Sequence, residues 1–515
     1  MSTTVLPNDP TFQSLSKGNN LRWPASEADT VSRIEVCQSA DDVAEALQKA
    51  VKAGLRPTVR SSGHCYEDFI ANNPGGVLLD VKHLNDMNAE GSGHAYKISA
   101  GTRMGDAYDS LYKSGVTIPG ASCTSVAAGG HICGGGYGVL SRLQGLTVDW
   151  VSAVDILTVD HSGHVTQRRV DSTHEPDLFR ACRGGGGNNF GIVTAYYFDK
   201  LPQAPKEVAS ARISFPWEGM TPERLEAIIT TYGHYQETRA KDPDTWGLFT
   251  ALGLSHRNSK RIGISAQFCN PDGTCDDLSV LNEFLDLFQP CKPVVEQPQS
   301  VESRHSPEAG TAHILTGPDG TPLPCSGPHN INRRSWYSAT VRTGGGGSGI
   351  RAKYKSCYMK QNFTKYEARM LFKHLTREIP GADLSGIVAV DNYGGATNRP
   401  ELAHQTAVSQ RASIMKLQFQ SYWMNPKDDA ARVQWMHDMY EELYSDPANN
   451  AKYKGTPYPG HQYEGCYINY PDVDMIAYPF WPQLYYGEKL YPFLQKVKRR
   501  YDPNNIFHHS MSVRA

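Results

Sequence analysis

The segment Pro57-Thr-Val-Arg60-Ser61-Ser62-Gly63-His64-Cys65-Tyr66-Glu67 starts as a strand and then breaks, with a glycine beside a histidine and a cysteine. Upstream of it, Ser39 precedes Val43, Ala46, Leu47, Ala50 and Val51 at helical spacing, Gly54 follows that run, and Arg33-Ile-Glu-Val-Cys37 precedes both. The periodicities predict strand, helix and strand, with Ser39 as N-cap and Gly54 in the C-terminal turn. A polar, glycine-bearing break at the end of such a strand is where α/β units place ligands.

Downstream, glycine concentrates in three places: Gly129 to Gly138, Gly184 to Gly191 and Gly344 to Gly349. Such runs let backbone approach a ligand closely, and nucleotides are its commonest form. Neither of the first two is a dinucleotide fingerprint followed by a ribose-binding acid, and neither carries the Gly-Lys-Ser/Thr ending of a P-loop. The third is the one low-complexity stretch, expected to be a flexible hairpin tip.

From about residue 206 to 450 the texture changes. Amphipathic helices are predicted over Pro222–Gln236, Tyr366–Ile379 and Ala430–Leu443, alternating with strand-like runs, which reads as a second, α+β domain. Met415-Lys-Leu-Gln-Phe-Gln-Ser-Tyr-Trp423 alternates strictly, with Lys416, Gln418, Gln420 and Tyr422 on one face. That face is either a polar wall to a ligand or the solvated side of a half-buried sheet.

The chain has 515 residues, 39% hydrophobic and 20% charged, enough for one large core or two ordinary ones. A formal charge of −2 gives no electrostatic footprint for nucleic acid or anionic lipid. No stretch of 18 apolar residues exists, and the N-terminus lacks both a basic and an apolar signal region, so membrane insertion and secretion are disfavoured and a cytoplasmic location is expected. The 11 cysteines lack the short spacings of a zinc site and read mostly as reduced core thiols; no metal is expected. The sequon Asn362-Phe363-Thr364 would matter only in a secreted protein.

Several motifs recur in one order: Arg60-Ser-Ser-Gly-His64-Cys-Tyr-Glu67, Cys123-Thr-Ser-Val126-Ala-Ala-Gly-Gly-His131-Ile-Cys-Gly-Gly-Gly-Tyr-Gly138, Gly145-Leu-Thr-Val-Asp149, Arg183-Gly-Gly-Gly-Gly-Asn-Asn-Phe-Gly191, Tyr467-Ile-Asn-Tyr470-Pro-Asp-Val-Asp474 and Asp502-Pro-Asn-Asn-Ile-Phe507. Together, across essentially the whole chain, they resemble the berberine bridge enzyme-like FAD-linked oxidases, within the vanillyl-alcohol-oxidase-type fold. The resemblance implies a two-domain α+β flavoprotein. Residues 1–205 and the return at 455–515 would form the FAD-binding domain, and residues 206–454 a substrate domain with an antiparallel sheet. It also implies FAD held by two covalent bonds, from His64 to the 8α-methyl and from Cys123 to C6. Arg60, Ser61, Ser62 and Gly63 would belong to the cofactor site with that histidine. Val126, Gly129, Gly130, His131 and Gly134 would follow the cysteine, with Gly187, Asn188, Gly191, Ile192, Val193 and Asn469 completing the cradle. Cys133, inside the glycine run, reads as a space-filler. The chain departs from the family pattern at Ser62, in place of a glycine, at Asn188, in place of a fifth glycine, and at Thr124, where proline is common.

In such an oxidase a base takes the hydroxyl proton while N5 of the flavin takes the hydride. The family's catalytic position falls on Tyr470, whose phenolate a positive or hydrogen-bonded environment can stabilise. A second acid-base group is expected after the apolar run Ile387-Val-Ala-Val390, with Tyr393 favoured and Asp391 next. Gln418 stands where berberine-forming relatives place a glutamate base, and an amide abstracts no proton. Lys416, Gln418, Gln420 and Tyr422 would contact the substrate, and Val126 would govern access of O2 to the flavin. The implied reaction is two-electron oxidation of a hydroxyl of a sugar, hemiacetal or glycosylated or aromatic metabolite, with O2 reduced to H2O2. An oxidative cyclase and a flavin-loaded binding protein without turnover are the alternatives.

Overall fold

The computed structural model describes residues 2–295, 325–326, 328–340, 349–379 and 384–515. The glycine run beginning at Gly344 lies outside the described residues except for Gly349.

The expected strand, helix and strand form as read. Strand β2 (Arg33–Val36), following β1 (Thr3–Val5), leads into the helix Ala40–Lys52 and then β3 (Pro57–Arg60). Ser39 Oγ accepts from Asp42 N at 3.1 Å, and Gly54 takes the left-handed backbone that ends the helix. With β4 (Val77–Asp80) these strands form a sheet in the order β1-β2-β4-β3, in which β2 and β3 run parallel to β4. A second sheet, all antiparallel, orders β5 (Tyr96–Ser99), β8 (Ile192–Phe198), β6 (Ala153–Val159) and β7 (Val165–Asp171). Every residue of β6 is buried, Asp155 and Thr158 included, and Asp155 is paired with Arg169 at 2.8 Å.

All strands described between residues 207 and 423 join one antiparallel sheet. Its order is β13 (Cys325–Ser326), β14 (Ile331–Ser335), β9 (Glu207–Pro216), β11 (Arg261–Phe268), β10 (Leu248–Ser255), β16 (Ile387–Asn392), β17 (Met415–Trp423) and β15 (Arg351–Met359); β12 (Val294–Val295) also pairs with β9. Helices Pro222–Thr238, Lys365–Leu375 and Asp429–Leu443 form close to their expected spans; Asp429–Leu443 packs on β15 and β17, and Lys365–Leu375 packs against both other helices. Tyr232 donates its hydroxyl to Val390 O at 2.9 Å and Tyr440 to Ser356 O at 2.7 Å, so each fastens its helix to the backbone of a strand. Met415, Leu417 and Phe419 are fully buried. The opposite face of β17 is not solvated: Lys416 is fully buried and Gln420 nearly so.

Two devices join these layers. Arg142, 2% exposed and with no carboxylate partner among the described residues, donates to the carbonyls of Leu248, Tyr393, Ala240 and Thr245. The C-terminal segment returns to the second sheet. Lys498, ion-paired with Asp502 at 2.6 Å, donates to Asn189 O at 2.8 Å, and Val513 N donates to Asn189 Oδ1 at 2.8 Å. Among the described residues no helix is long and apolar enough to cross a membrane.

Candidate active site

A cavity of about 1090 Å³ runs between the two small sheets and the large one. It exceeds the usual ~300–1,000 Å³ of a small-molecule site and leaves room for a cofactor with a substrate. Four stretches build it: the break after β3, residues 121–139, the loop before β8, and residues 467–471; the polar face of β16 and β17 closes one end.

At the break after β3 the left-handed conformation falls on Gly63 (φ +79°), not on Ser62. Serine is therefore free of strain there, and its Oγ accepts from Ala127 N at 2.8 Å, tying the His64 loop to the loop after Cys123. His64 Nε2 lies 3.0 Å from Ser125 Oγ, and Cys123 Sγ lies 3.2 Å from the same oxygen. The two residues expected to bond the cofactor thus meet across one hydroxyl, though 59 positions separate them in sequence. Burial, aided by the Arg103 guanidinium, pushes the His64 pKa down to about 4, which leaves a neutral imidazole at neutral pH. Cys133, by contrast, is buried with its Sγ 3.0 Å from Tyr196 Oη, as a packed thiol should be.

The expected glycines divide into two kinds. A Cβ added at Gly130 would meet no protein atom within 4 Å, and one at Gly187 only Cys133 Cβ at 4.0 Å; both residues line the cavity, so their missing side chains are room for a ligand. A Cβ on Gly134 would fall 2.1 Å from Asn469 Oδ1 and one on Gly191 2.2 Å from Leu157 O. Those two serve protein packing, and Gly134 does not line the cavity. Arg60 is likewise outside it, ion-paired with Asp80 at 2.7 Å and donating to Leu15 O and Lys17 O. Asn188 carries φ +55°, which asparagine tolerates. Its amide nitrogen and oxygen, and His131 Nε2, are buried without a partner among the described residues, and both residues line the cavity. Leaving such atoms unmet costs about 1–3 kcal/mol each. A polar cofactor bearing both donors and acceptors answers that need, so the residues present fit FAD. Burial holds His131 neutral, its pKa down at about 4.

The other end is a cluster on the sheet face. Asp391 and Lys416 stand directly opposite in the β16–β17 register, and Asp391 Oδ2 lies 3.0 Å from Lys416 Nζ. Lys416 Nζ is 3.4 Å from Tyr470 Oη and sits 4.6 Å from the Tyr470 ring centre and 4.4 Å from that of Tyr137. Asp391 lines the cavity and its Oδ1 is buried with no partner among the described residues. Burial first, and the Asp391 charge second, push the Tyr470 phenol well above its ordinary value. Tyr393 is placed differently from the expectation. Strand β16 stops at Asn392, and Tyr393 donates its hydroxyl to Gln410 O at 3.1 Å, outside the cavity lining. The alternation that puts it beside Asp391 ends with the strand. Gln418, Gln420 and Tyr422 line the cavity as expected, whereas Lys416 lies behind the lining.

Sequence reasoning assigned no role to Tyr66, which accepts from Gln418 Nε2 at 2.8 Å and stacks on Tyr354 with ring centres 3.5 Å apart. It also missed a buried charge cluster behind this wall. Lys353 Nζ meets Glu67 at 3.0 Å, Asp472 at 2.7 Å and Asp474 at 3.1 Å, and Lys355 Nζ meets Asp472 at 2.6 Å and Asp474 at 2.7 Å. Burial opposes a charged Lys353, yet Asp472, Glu67 and Asp474 outweigh it and hold its pKa above the ordinary lysine value. The cluster binds the His64 loop to the turn after Tyr470. Two lysines two apart on one strand, with acids in both flanking motifs, were its only signal in the sequence.

Comparison with known proteins agrees with this geometry. The family described as "FAD binding domain" matches residues 32–167, and "Berberine and berberine like" matches residues 466–514. Aclacinomycin-N/aclacinomycin-A oxidase of Streptomyces galilaeus is 32% identical over 508 residues, covering 93% of this chain and 84% of that protein. Hexose oxidase of Chondrus crispus is 32% identical over 545 residues, covering 98% and 93%. The crystal structure of an aclacinomycin oxidoreductase superposes with a TM-score of 0.85 at 30% identity, covering 100% of this chain and 99% of that one. The chain belongs to the berberine bridge enzyme-like FAD-linked oxidases and is an FAD-dependent oxidoreductase.

Proposed function

We propose that this protein oxidises a hydroxyl-bearing carbon of a sugar or of a glycosylated or aromatic metabolite, with FAD bonded to both His64 and Cys123. The reading is carried by the Asp391–Lys416–Tyr470 cluster at one end of the cavity that His64 and Cys123 border. Bound FAD would supply the two-electron acceptor, with O2 as the final oxidant and H2O2 as its product.

Asp391 is the proton acceptor: its Oδ1 has no partner among the described residues and its Oδ2 is held by Lys416. Tyr470, a phenol in its buried site, hydrogen-bonds the same substrate hydroxyl and orients it. Lys416 balances the carboxylate and stabilises negative charge that develops on either group. Gln418, with its amide N–H committed to Tyr66, offers Oε1 to a hydroxylated ligand. Because it cannot take a proton, it disfavours the oxidative cyclase. The substrate class is supported by the names of the two relatives at 32% identity, one acting on a hexose and one on aclacinomycins.

The test is a screen of free sugars and glycosylated aromatics for H2O2 release, with anaerobic bleaching of the flavin absorbance as the check on each hit. Tyr470→Phe should keep flavin loading and slow bleaching by roughly two orders of magnitude. A protein whose flavin none of these compounds reduces is not the oxidase proposed.

A further inference from the structure

Ser125 stands between the two nucleophiles and outside the cavity lining. Its hydroxyl owns one hydrogen and two lone pairs, so its contacts with His64 Nε2 and Cys123 Sγ allow two orders of donation. In one, the hydroxyl donates to Nε2 and accepts from the thiol. The imidazole lone pair is then spent at Nε2, Nδ1 carries the hydrogen, and the sulfur is protonated, so neither residue is a nucleophile. In the other, Nε2–H donates to Oγ and Oγ–H donates to the sulfur. The lone pair then lies on Nδ1, and the hydroxyl hydrogen points at the sulfur. The neutral state of His64 at neutral pH makes this second order available. The hydrogen bond from Ala127 N to Ser62 Oγ holds the two loops in register, so the bridge is built into the fold.

We propose that Ser125 is the positioning residue for attachment of FAD, fixing the His64 tautomer that attacks through Nδ1 and aiming its own O–H at the Cys123 sulfur. The proposal rests on the covalent reading above. Counted from neutral imidazole and thiol, each attachment forms one bond, Nδ1 to C8α or Sγ to C6, and breaks one C–H bond at that carbon. The carbon's hydrogen and the nucleophile's hydrogen leave as protons, and the electron pair reduces the flavin ring. O2 then takes those two electrons with two protons as H2O2, restoring the ring for the second attachment.

Ser125→Thr and Ser125→Val have nearly the same shape and differ by the hydroxyl. Each full-length holoprotein is denatured in acid and its doubly linked, singly linked and unlinked fractions are read by intact mass, beside total flavin before denaturation and the melting temperature. Wild type and Ser125→Thr should be doubly linked. Ser125→Val should bind FAD but attach it about tenfold more slowly, the loss of one hydrogen bond. Equal attachment in Ser125→Thr and Ser125→Val overturns the role of Ser125 alone. Wild-type protein that gives up all its flavin to acid overturns the covalent reading and this role with it. Should Ser125→Val fail to fold, Ser125→Ala gives the same comparison.

Discussion

Replacing Asp391 with asparagine keeps the side chain's shape and removes the one carboxylate of the cluster, with two separable effects. The first is on stability. Lys416 is fully buried and its ion pair with Asp391 is 3.0 Å long; stranding such a charge costs about 3–5 kcal/mol. The faces of Tyr137 and Tyr470, within 4.4 and 4.6 Å, return part of that, on the order of 1–2 kcal/mol. Asp391→Asn should therefore lose about 1–4 kcal/mol. The second effect is on chemistry: without its proton acceptor, flavin reduction by substrate should slow by about 10²–10⁴. Anaerobic stopped-flow reads this step without interference from O2. The double variant Asp391→Asn, Lys416→Met removes both charges and should regain stability without regaining rate. The pH profile adds a check with a definite sign. The Asp391 charge is one of the causes holding the Tyr470 phenol high, so its removal lowers that pKa and Asp391→Asn should recover part of its rate at alkaline pH. Reduction at the wild-type rate by Asp391→Asn at neutral pH would refute the assignment, and would return the base to Tyr470.

Three further outcomes are expected. His64→Ala and Cys123→Ala should each keep one bond to the flavin, the double variant should release it to acid, and Cys133→Ala should leave both bonds intact; loss of linkage in Cys133→Ala would reassign the thiol. Val126 borders the cavity three residues after Cys123, and Val126→Leu, at a packing cost of about 1–3 kcal/mol at most, should slow reoxidation by air far more than anaerobic reduction; equal slowing of both half-reactions would make Val126 plain packing. Glu367 is buried at the start of its helix, and burial pushes its carboxyl up to about 7. The folded chain then holds this proton more tightly than the unfolded one, so stability from this group is full below the ordinary carboxylate value of 4.5 and is lost as pH rises to about 7. Glu367→Gln should flatten that fall, worth on the order of 3 kcal/mol, and melting curves with an unchanged pH slope would contradict it.

Local pattern made the scaffold legible. Ser39 at its cap, the alternation of Met415–Trp423 and the apolar stripes of the three predicted helices each depend on neighbours within a few residues, and each is found where the periodicity puts it. The site was legible only as motifs. Gly130 and Gly134 look alike in sequence, yet one faces the cavity and the other faces Asn469, because the difference lies in a segment more than 300 residues away. Lys416 looked like a ligand contact for the same reason: only the β16–β17 register sets it against Asp391 and beneath Tyr470. Tyr393 was misplaced because alternation cannot say where a strand stops. The Lys353 and Lys355 cluster needs three distant segments to meet, and no window of sequence contains it.

The tethering of Asn189 by Lys498 and Val513 sets an order of events during synthesis. Asn189, in the cavity wall at residues 186–193, has its backbone oxygen held by Lys498 and its side-chain oxygen by Val513. A nascent polypeptide that has not yet presented residues 498–513 has the His64 and Cys123 loops but no finished pocket to hold flavin against them. On the covalent reading proposed above, cofactor capture waits for the helix that carries Lys498 to dock and bond formation comes after folding, so that an immature chain is not left with a reactive ring welded to a half-built cradle.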